Sequence, residues 1–444
     1  MCVSGTHNKE DSTMARTVRK VASGQEALEL MSVGALMSLV TYNQVDAALR
    51  ERHDPTRQTR TRKLTKRMIV YLIIFLCLYF GKSTINVLKT VMESVSRLYG
   101  RCLSDFSEAA LSKARLSVGS STLYSLFRSV CKPISTLVET PNAFYKGLHL
   151  IAIDGSDLDL QNVEQVSAVF PIAGDGGKNG HKVPKLRFNA ILDVGSRSLF
   201  DAECGAYTTH SEQALARILL DRLPSGCLLL GDRYYPAVAN MKKVIVRRSH
   251  FIFRLKKKRK YKIIKMLPDG SFLAQLYNNH HAGSKAESVI VRIIPYLVKD
   301  KDGMEIEQGL LATSLLSARK YPAEELAKYY HFRWESEMCY DELKAHLLNG
   351  TTDNLRSKTP DLVLQEFWGL LIAHWVVKKI AYNAAVAAGQ LPADISFTDT
   401  LEILRRTTQS AFPPPKGSGK LSEKETDVLH AEKNCSQSTG DNGC

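Results

Sequence analysis

The apolar positions divide the chain into a helical first part and a mixed second part. From about 31 to 146 the apolar residues recur at helical spacing, without convincing alternating strands. The most apolar stretch, MIVYLIIFLCLYF from Met68 to Phe80, spans 13 residues. A membrane-crossing helix needs about 20. We therefore predict a buried core helix there, within an N-terminal helical domain.

From about 147 the pattern becomes that of a sheet. LHLIAID ends on Asp154 and GCLLLGD ends on Asp232, and both apolar runs predict buried strands with a carboxylate at the carboxyl end. Between them, KLRFNAILDVGSRSLFDAECGAY predicts two strands, and a helix follows for which Thr209 and Glu212 have capping-box spacing. After Asp232, a short helix near 235–246 and the strand-like HFIFRL complete the order. This order predicts a mixed sheet with helices on its faces, and function gathers at the carboxyl ends of strands in such sheets.

The C-terminal half adds an insertion and two long helices. Residues 256–318 predict a β-rich insertion, with short strands such as SVIVRIIPYLV and IEQGLLATSLL and Asp-Gly turns at 269–270 and 302–303. The insertion opens with the basic run KKKRK at 256–260, which predicts either a DNA-contacting segment or a solvent-exposed edge or turn. Pro322 opens a predicted helix to about 347, and a further helix runs from about 360 to 387.

Six segments follow from this pattern. In chain order they are a loose N-terminus at 1–30, the N-terminal helical domain at 31–146, a first part of the core at 147–255, the insertion at 256–318, a second part of the core at 319–410, and a disordered tail at 411–444. The tail is predicted to be disordered because it is rich in Pro, Ser, Gly and charge and has little apolar surface to bury.

Composition adds a partner class to this picture. Lys and Arg number 60 against 45 Asp and Glu, which gives a net charge of +15 and a pI near 9.3. This excess favours a polyanionic partner, nucleic acid or a membrane surface. A basic cluster within the helical domain is a candidate phosphate-contacting surface or a solvated linker: Arg57, Arg60, Arg62, Lys63, Lys66 and Arg67. The nine scattered cysteines contain no CxxC pair and indicate reduced thiols in a cytoplasmic protein.

One helix carries a candidate catalytic face. At about 100° per residue, Tyr330, Arg333, Glu337 and Lys344 project to about 0°, 300°, 340° and 320°, so they share a band of about 60°. A carboxylate between a guanidinium and an ammonium suits a metal and a phosphate. Asp341 projects to about 20° and is a rival ligand. The alternative is an ordinary surface helix with Arg333–Glu337 and Asp341–Lys344 ion pairs.

Together these residues resemble the DDE transposases of bacterial insertion sequences, specifically the insertion sequence 4 family. The family's Y-(2)-R-(3)-E-(6)-K spacing is reproduced without a gap in YYHFRWESEMCYDELK. IAIDGS, around Asp154, is similar to the family's strand–DGT motif, and LLGDRYY, around Asp232, is similar to its strand–DRGY-like motif. The similarity runs from about 30 to 410. Ser156 stands in place of the usual Thr and Tyr234 in place of a usual Gly, where Tyr predicts a distorted turn.

The resemblance implies an α/β, ribonuclease H-like (retroviral integrase-like) catalytic core with a mixed sheet, interrupted by the β-rich insertion and preceded by a DNA-binding helical domain. It implies that two Mg²⁺ or Mn²⁺ ions are held by Asp154, Asp232 and Glu337. It implies that DNA near the cleaved end is contacted by Tyr330, Arg333 and Lys344.

The implied activity is metal-dependent cleavage and strand transfer of transposon ends, expected as cut-and-paste transposition. The implied partners are double-stranded DNA with terminal inverted repeats, target DNA and a second copy of the chain in a homodimer, with no membrane. Two alternatives remain open at this point. One is a DNA-binding protein of transposase origin without catalysis, which Tyr234 keeps open. The other is a ribonuclease H-like nuclease that only hydrolyses.

Overall fold

The computed structural model describes residues 33–52, 65–89, 107–174, 182–278, 287–299, 305–348 and 355–410. Several sequence predictions fall outside these residues. They are the loose N-terminus at 1–30, the tail at 411–444, the Asp-Gly turn at 302–303 and the part of the basic cluster from Arg57 to Lys63.

The N-terminal part is helical, as the spacing predicts. Its labelled helices are α1 (Val33–Leu39), α2 (Tyr42–Arg52), α3 (Lys66–Leu78), α4 (Glu108–Val118) and α5 (Ser120–Val130), and residues 84–89 are also helical. Helix α3 is the predicted core helix. Thr65 caps it by accepting a hydrogen bond from the Met68 amide, and every residue from Ile69 to Leu78 is buried. Among the described residues, no helix is long and apolar enough to cross a membrane.

The second part is built on one mixed sheet, and the predicted fold class is confirmed. Its strands are β1 (Phe144–Tyr145), β2 (Leu148–Asp159), β3 (Lys185–Asp193), β4 (Ser198–Ala206), β5 (Cys227–Gly231), β6 (His250–Arg254), β7 (Tyr261–Met266), β8 (Phe272–Tyr277), β9 (Ser288–Lys299) and β10 (Glu305–Thr313). Their order is β4-β3-β2-β5-β6-β10-β9-β8-β7, with β1 beside β2. The central strands β2, β5 and β6 run parallel, whereas β3 and β4 pair antiparallel.

The β-rich insertion continues the core sheet instead of forming a separate one. Strand β10 pairs antiparallel with β6, from Leu311↔Arg254 to Thr313↔Ile252. Within the insertion, Arg292 of β9 is fully buried, donates a 2.7 Å hydrogen bond to Ser271 Oγ and pairs with Asp269, both of the turn before β8. The insertion is therefore an extension of the sheet that carries the aspartates.

Helices cover both faces of the sheet because the side chains of each strand alternate. In β2, Ile151 and Ile153 belong to one core and Leu150 and Ala152 to the other. The first core includes the short connecting helices α7 (Glu212–Asp221) and α8 (Val238–Val246), whereas α6 (Glu164–Ser167) follows β2. The second core contains the long apolar helix α11 (Pro360–Ala387), and α12 (Phe397–Ser410) follows it. Helix α7 is capped by Ser211, so the predicted Thr209–Glu212 capping box is wrong.

The helix predicted from 322 to 347 is irregular. Helix α9 (Ala323–Tyr330) leads into a 3-10 turn (His331–Trp334), then α10 (Glu335–Asp341) and a π-helical segment (Glu342–Leu347). A 3-10 turn has 3.0 residues per turn and a π turn has more than 3.6. The constant 100° per residue used for the candidate face therefore does not hold along this segment.

Candidate active site at the carboxyl end of the central strands

The two predicted aspartates lie side by side on neighbouring strands. The parallel register of β2 and β5 ends at Ile153↔Gly231, so Asp154 is the next residue of β2 and Asp232 is the first residue after β5. Neighbouring strands are about 4.8 Å apart. Strand β2 itself continues to Asp159 along β3. The prediction that Asp154 ends its own strand is therefore wrong, and Asp154 lies instead where the neighbouring strand β5 ends. The second aspartate begins a turn, in which the Tyr234 amide donates to Asp232 Oδ1 at 2.7 Å.

Three donors hold Asp154 in place. Ser336 Oγ donates to Asp154 Oδ2 at 3.0 Å, and the Gly155 amide donates to Oδ1 at 2.9 Å. The Tyr340 hydroxyl donates to the Asp154 backbone carbonyl at 2.6 Å. Burial raises the pKa of Asp154 to about 6, with the charge of Asp232 acting in the same direction, while these carboxylate hydrogen bonds and Arg333 oppose the rise. Helix α10 is thus docked directly on the first aspartate.

Glu337 follows Ser336 on α10 but does not contact the aspartates. Its Oε1 accepts a hydrogen bond from Arg333 Nη2 at 3.1 Å, and its side chain is 47% exposed. The charge of Asp154 also helps to raise the pKa of Arg333, together with Glu337. The Arg333–Glu337 pair expected of an ordinary helix therefore exists within the candidate site.

The carboxylate oxygens of the candidate residues suit a hard divalent cation, but these side chains do not surround a common position. In the part of the chain that the structure describes, no three His, Cys, Asp or Glu side chains are arranged to hold a metal ion. Asp154, Asp232 and Glu337 offer only carboxylate oxygens, the ligands of Mg²⁺ and Mn²⁺. Two of them already share one edge of the sheet. Glu337 is half-exposed, and Arg333 is its ion-pair partner.

The predicted DNA-contact residues differ in their exposure. Tyr330 is buried, 3% exposed, with its ring against that of Tyr296 at 5.8 Å between centroids. Arg333 reaches the site, whereas Lys344 is half-buried on the π-helical segment. The rival Asp341 is exposed and lies 3.8 Å from His346. The 3-10 and π-helical turns lie between these residues, so the angles of a uniform helix do not describe their positions.

A further carboxylate at the site was missed by the sequence reasoning. Glu212, the first residue of α7, accepts a 2.8 Å hydrogen bond from the Tyr235 hydroxyl. A Cβ built on Gly155 would lie 2.8 Å from Glu212 Cδ and 2.9 Å from its Oε1. Burial raises the pKa of Glu212, and the charge of Asp232 raises it further. The only sequence signal was a glycine directly after Asp154, which does not indicate what fills its space.

Two exposed aromatic side chains that follow site residues in the chain have basic partners. Tyr234 is 51% exposed, and the Nζ of Lys256, the first residue of the KKKRK run, lies 5.2 Å from its ring centroid. Trp334 is 50% exposed, with the Arg333 guanidinium 5.0 Å from its ring. Among the described residues, the non-glycine residues with positive φ do not include Tyr234, so the predicted distortion of this turn is not found. Such surfaces suit phosphate and base contacts.

Comparison with known proteins gives consistent matches. A family model described as Transposase DDE domain matches residues 146–376, and one described as Insertion element 4 transposase N-terminal matches residues 30–128. The chain is 28% identical over 315 residues to Transposase InsG for insertion sequence element IS4 of Escherichia coli (strain K12), which covers 69% of each protein. It is 23% identical over 176 residues to Putative transposase InsZ of the same strain, covering 40% of this chain and 56% of that protein.

Among solved structures, the chain matches a piggyBac transposase in a cryo-EM synaptic complex with hairpin DNA. The match covers 94% of this chain and 86% of that chain at 11% identity, with a TM-score of 0.43.

Proposed function

The chain belongs to the DDE transposases of the insertion sequence 4 family, and from this premise we propose that Asp154, Asp232 and Glu337 form its catalytic centre. The enzyme acts in DNA transposition. The observation that carries the assignment of residues is the shared register of Asp154 and Asp232, with the Glu337 helix docked on Asp154 through Ser336 and Tyr340.

In the proposed mechanism the three carboxylates hold two Mg²⁺ or Mn²⁺ ions. The chemistry that such ions supply is activation of the attacking water or 3′ hydroxyl and stabilisation of the leaving oxygen. The contribution of the chain is to fix Asp154 through Ser336 and the Gly155 amide, and to present Glu337 beside it. Arg333, released from Glu337 when that carboxylate turns, is then placed to hold a phosphate with both of its terminal nitrogens.

DNA is the polyanion that the charge of +15 favours. We propose that the scissile strand passes between Lys256 and Arg333, because Lys256 lies over the ring of Tyr234, two residues after Asp232, and Arg333 interacts with the charge of Asp154. Lys344 is assigned a phosphate contact further along the strand. The partners are then transposon ends with terminal inverted repeats and a target duplex, with two copies of the chain pairing the ends in the cytoplasm of the host cell.

The test compares Glu337→Gln with Asp341→Asn on DNA that carries the repeats flanking the gene. We expect Glu337→Gln to lower Mg²⁺-dependent nicking by about 100-fold or more, while DNA binding measured by fluorescence anisotropy is retained. Asp341→Asn removes an equal charge from the same helix and should cut normally. Normal cutting by Glu337→Gln would refute the assignment, and equal loss in both variants would make Asp341 the ligand instead.

The same assay on the wild-type chain distinguishes a transposase from a nuclease and from a DNA-binding protein without catalysis. Joined strand-transfer products support transposition, whereas hydrolysis without joining indicates a nuclease only. Binding of the ends without any cutting in Mg²⁺ or Mn²⁺ would indicate a DNA-binding protein of transposase origin.

A further inference from the structure

We propose that strand β7 and the basic turn before it bind the phosphates of duplex DNA next to the cleaved end, without reading its sequence. We call these residues, 256–266, the basic edge. The inference rests on the proposed function, because the candidate active site determines which DNA reaches this surface. It adds a second DNA contact, on the outermost strand of the insertion.

The basic edge belongs to a long stretch of chain without acidic residues. From Arg233 to Pro268 the sequence contains thirteen Lys and Arg residues and no Asp or Glu. Six exposed lysines lie in the basic edge: Lys256, Lys257, Lys258, Lys260, Lys262 and Lys265. None of the six forms an ion pair with a described acidic residue, whereas Lys243, for example, pairs with Asp221. Their positive charge is therefore not neutralised within the described part of the chain.

Arg259 adds a charge that the turn does not balance. Its side chain is partly buried, and its Nη2 donates to the carbonyl oxygen of Tyr277 at 2.7 Å. Its Nε is buried and finds no acceptor among the described residues. Burial lowers the pKa of Arg259, and no described acid opposes this shift. A phosphate bound to the turn would supply the missing negative charge.

The register of β7 places two of the lysines on one face of the sheet. Lys262 lies opposite Gln275 of β8. Lys265 lies opposite Leu273, because a bulge after Ile263 adds one residue to β7. Cross-strand partners share a face, and residues two apart on β8 also share one. Lys262 and Lys265 therefore point to the same side, although a regular strand places residues three apart on opposite sides.

The basic edge begins at the candidate active site. The Nζ of Lys256 lies 5.2 Å from the ring centroid of Tyr234, which is two residues after Asp232. From Lys256 the chain continues directly into β7, the last strand of the described sheet. A duplex whose cleaved end reaches Asp232 can therefore lay its backbone along the basic edge. Lysine ammonium groups meet phosphates as point charges, and phosphate contacts carry no sequence information.

A second copy of the chain is the other occupant that an edge strand could take. Strand β7 also exposes apolar side chains, since Ile263 and Ile264 are about half exposed and Met266 is 61% exposed. However, lysines and a bulge on an edge strand are features that prevent pairing with another strand. Two basic edges would also repel each other, whereas a polyanion complements their charge. Duplex DNA is therefore the occupant that we assign.

The test measures how salt weakens DNA binding by the full chain. Fluorescence anisotropy without divalent cations, at about 50 to 200 mM salt, compares end-bearing duplex with unrelated duplex of equal length. We expect the double variant Lys262→Gln/Lys265→Gln to lower the slope of log K against log salt by about 2. Its Kd should rise about 10-fold at 0.1 M salt, equally for the two duplexes, because phosphate contacts do not depend on sequence.

The matched control is Lys146→Gln/Lys320→Gln, which removes the same charge at the other end of the strands. Lys146 lies two residues before β2, and its Nζ donates to the Lys320 carbonyl oxygen at 2.7 Å. This variant should keep the wild-type slope and Kd. Circular dichroism checks that both double variants fold.

Three outcomes would overturn the basic edge. The first is a wild-type slope in Lys262→Gln/Lys265→Gln; with Mg²⁺-dependent nicking by the wild-type chain, it would leave the proposed function intact. The second is a loss of affinity confined to end-bearing duplex, which would indicate sequence reading. The third is a DNA-free dimer that Ile263→Asp breaks, with the slope unchanged in the lysine variant, which would assign β7 to a second copy.

Failure of the proposed function would be seen separately. A reduced slope in Lys262→Gln/Lys265→Gln, together with no nicking by the wild-type chain in Mg²⁺ or Mn²⁺, would overturn the proposed catalysis. The basic edge would then remain as a DNA-binding surface.

Discussion

Replacing Lys378 by Met should destabilise the protein in a pH-dependent way, because this lysine neutralises a buried acid behind the candidate site. Lys378 Nζ lies 3.0 Å from Glu342 Oε1, and the two side chains are 5% and 11% exposed. Glu342 begins the π-helical segment directly after α10, the helix that carries Glu337. Burial raises the pKa of Glu342, but Lys378 and His374 outweigh it and hold the pKa below its ordinary value.

The magnitude follows from leaving a buried carboxylate without its cation. Removing one partner of a buried ion pair costs about 3–5 kcal/mol. His374 Nε2 still faces Glu342 Oε2 at 3.3 Å, so we use the lower end, about 3 kcal/mol. At about 2 °C per kcal/mol for a large domain, the Tm should fall by about 6 °C.

The sign of the pH dependence comes from Glu342. In the wild-type chain its lowered pKa contributes stability above the unfolded value of about 4.3. That contribution is lost as the pH falls through the folded pKa. In Lys378→Met, burial dominates and the folded pKa rises above the unfolded value, so the carboxylate is costly at high pH and protonated at low pH. The loss in Tm should therefore be larger at pH 7.5 than at pH 5.0.

Thermal unfolding followed by circular dichroism at both pH values provides the measurement. Lys379→Met is the control, since Lys379 is the next residue on α11 and its Nζ lies over the Tyr382 ring, 5.2 Å from the centroid. It should shift the Tm by only about 1 °C, as surface substitutions do. Equal losses in the two variants, or a Lys378→Met loss that does not change with pH, would refute this reasoning.

Two further predictions concern the site and the insertion. Ser336→Ala removes the donor to Asp154 Oδ2, a bond to a charged group worth about 1.5–3 kcal/mol. Because the same hydroxyl also lies 2.7 Å from the Arg333 carbonyl oxygen, we use the lower end of this free energy, about 1.5 kcal/mol. The pKa of Asp154 should then rise above 6, and the acid limb of the pH profile of DNA cleavage should move up by about one pH unit. An acid limb at the wild-type pH would contradict this prediction. Arg292→Met should lower the Tm and expose the insertion to limited proteolysis, because it removes the charged hydrogen bond from the buried Arg292 to Asp269, at a cost of about 2 kcal/mol. The control is Lys265→Met, because Lys265 belongs to the same insertion and is exposed. Equal protease resistance of the two variants would contradict the stabilising role of Arg292.

The strand-end aspartates could be predicted because local patterns determine them. Each follows a short apolar run, LHLIAI or GCLLLG, and a buried strand needs no information from elsewhere in the chain to be recognised. That the two runs are parallel neighbours in register is a long-range fact, which the sequence analysis did not predict. The continuation of the sheet into β10 and β9 was not predicted for the same reason, because the pairing of β10 with β6 joins distant segments.

The candidate face on the 322–347 helix was predicted less well. The angular calculation assumed a uniform helix, and the 3-10 turn at His331–Trp334 and the π-helical segment after Asp341 violate that assumption. The calculation still placed Arg333 and Glu337 close together, because residues four apart lie about one helical turn from each other. It failed for Tyr330, which points into the core. Glu212 was missed because a glutamate in the first turn of a helix is common for reasons unrelated to catalysis.

The irregular helix explains how one element can serve two packing partners. Ser336 and Tyr340, four residues apart, both contact Asp154 and so fix one face of α10 on the sheet. Glu342, two residues after Tyr340, forms an ion pair with Lys378 of α11. Glu337 is about 100° round the helix from Ser336, so it lies beside the docked face. The π-helical segment absorbs the change of register after this contact, and π-bulges are frequent at functional sites for this reason. A deletion of one residue in Glu342–Leu347 should therefore disturb the α11 contact while α10 stays docked on Asp154.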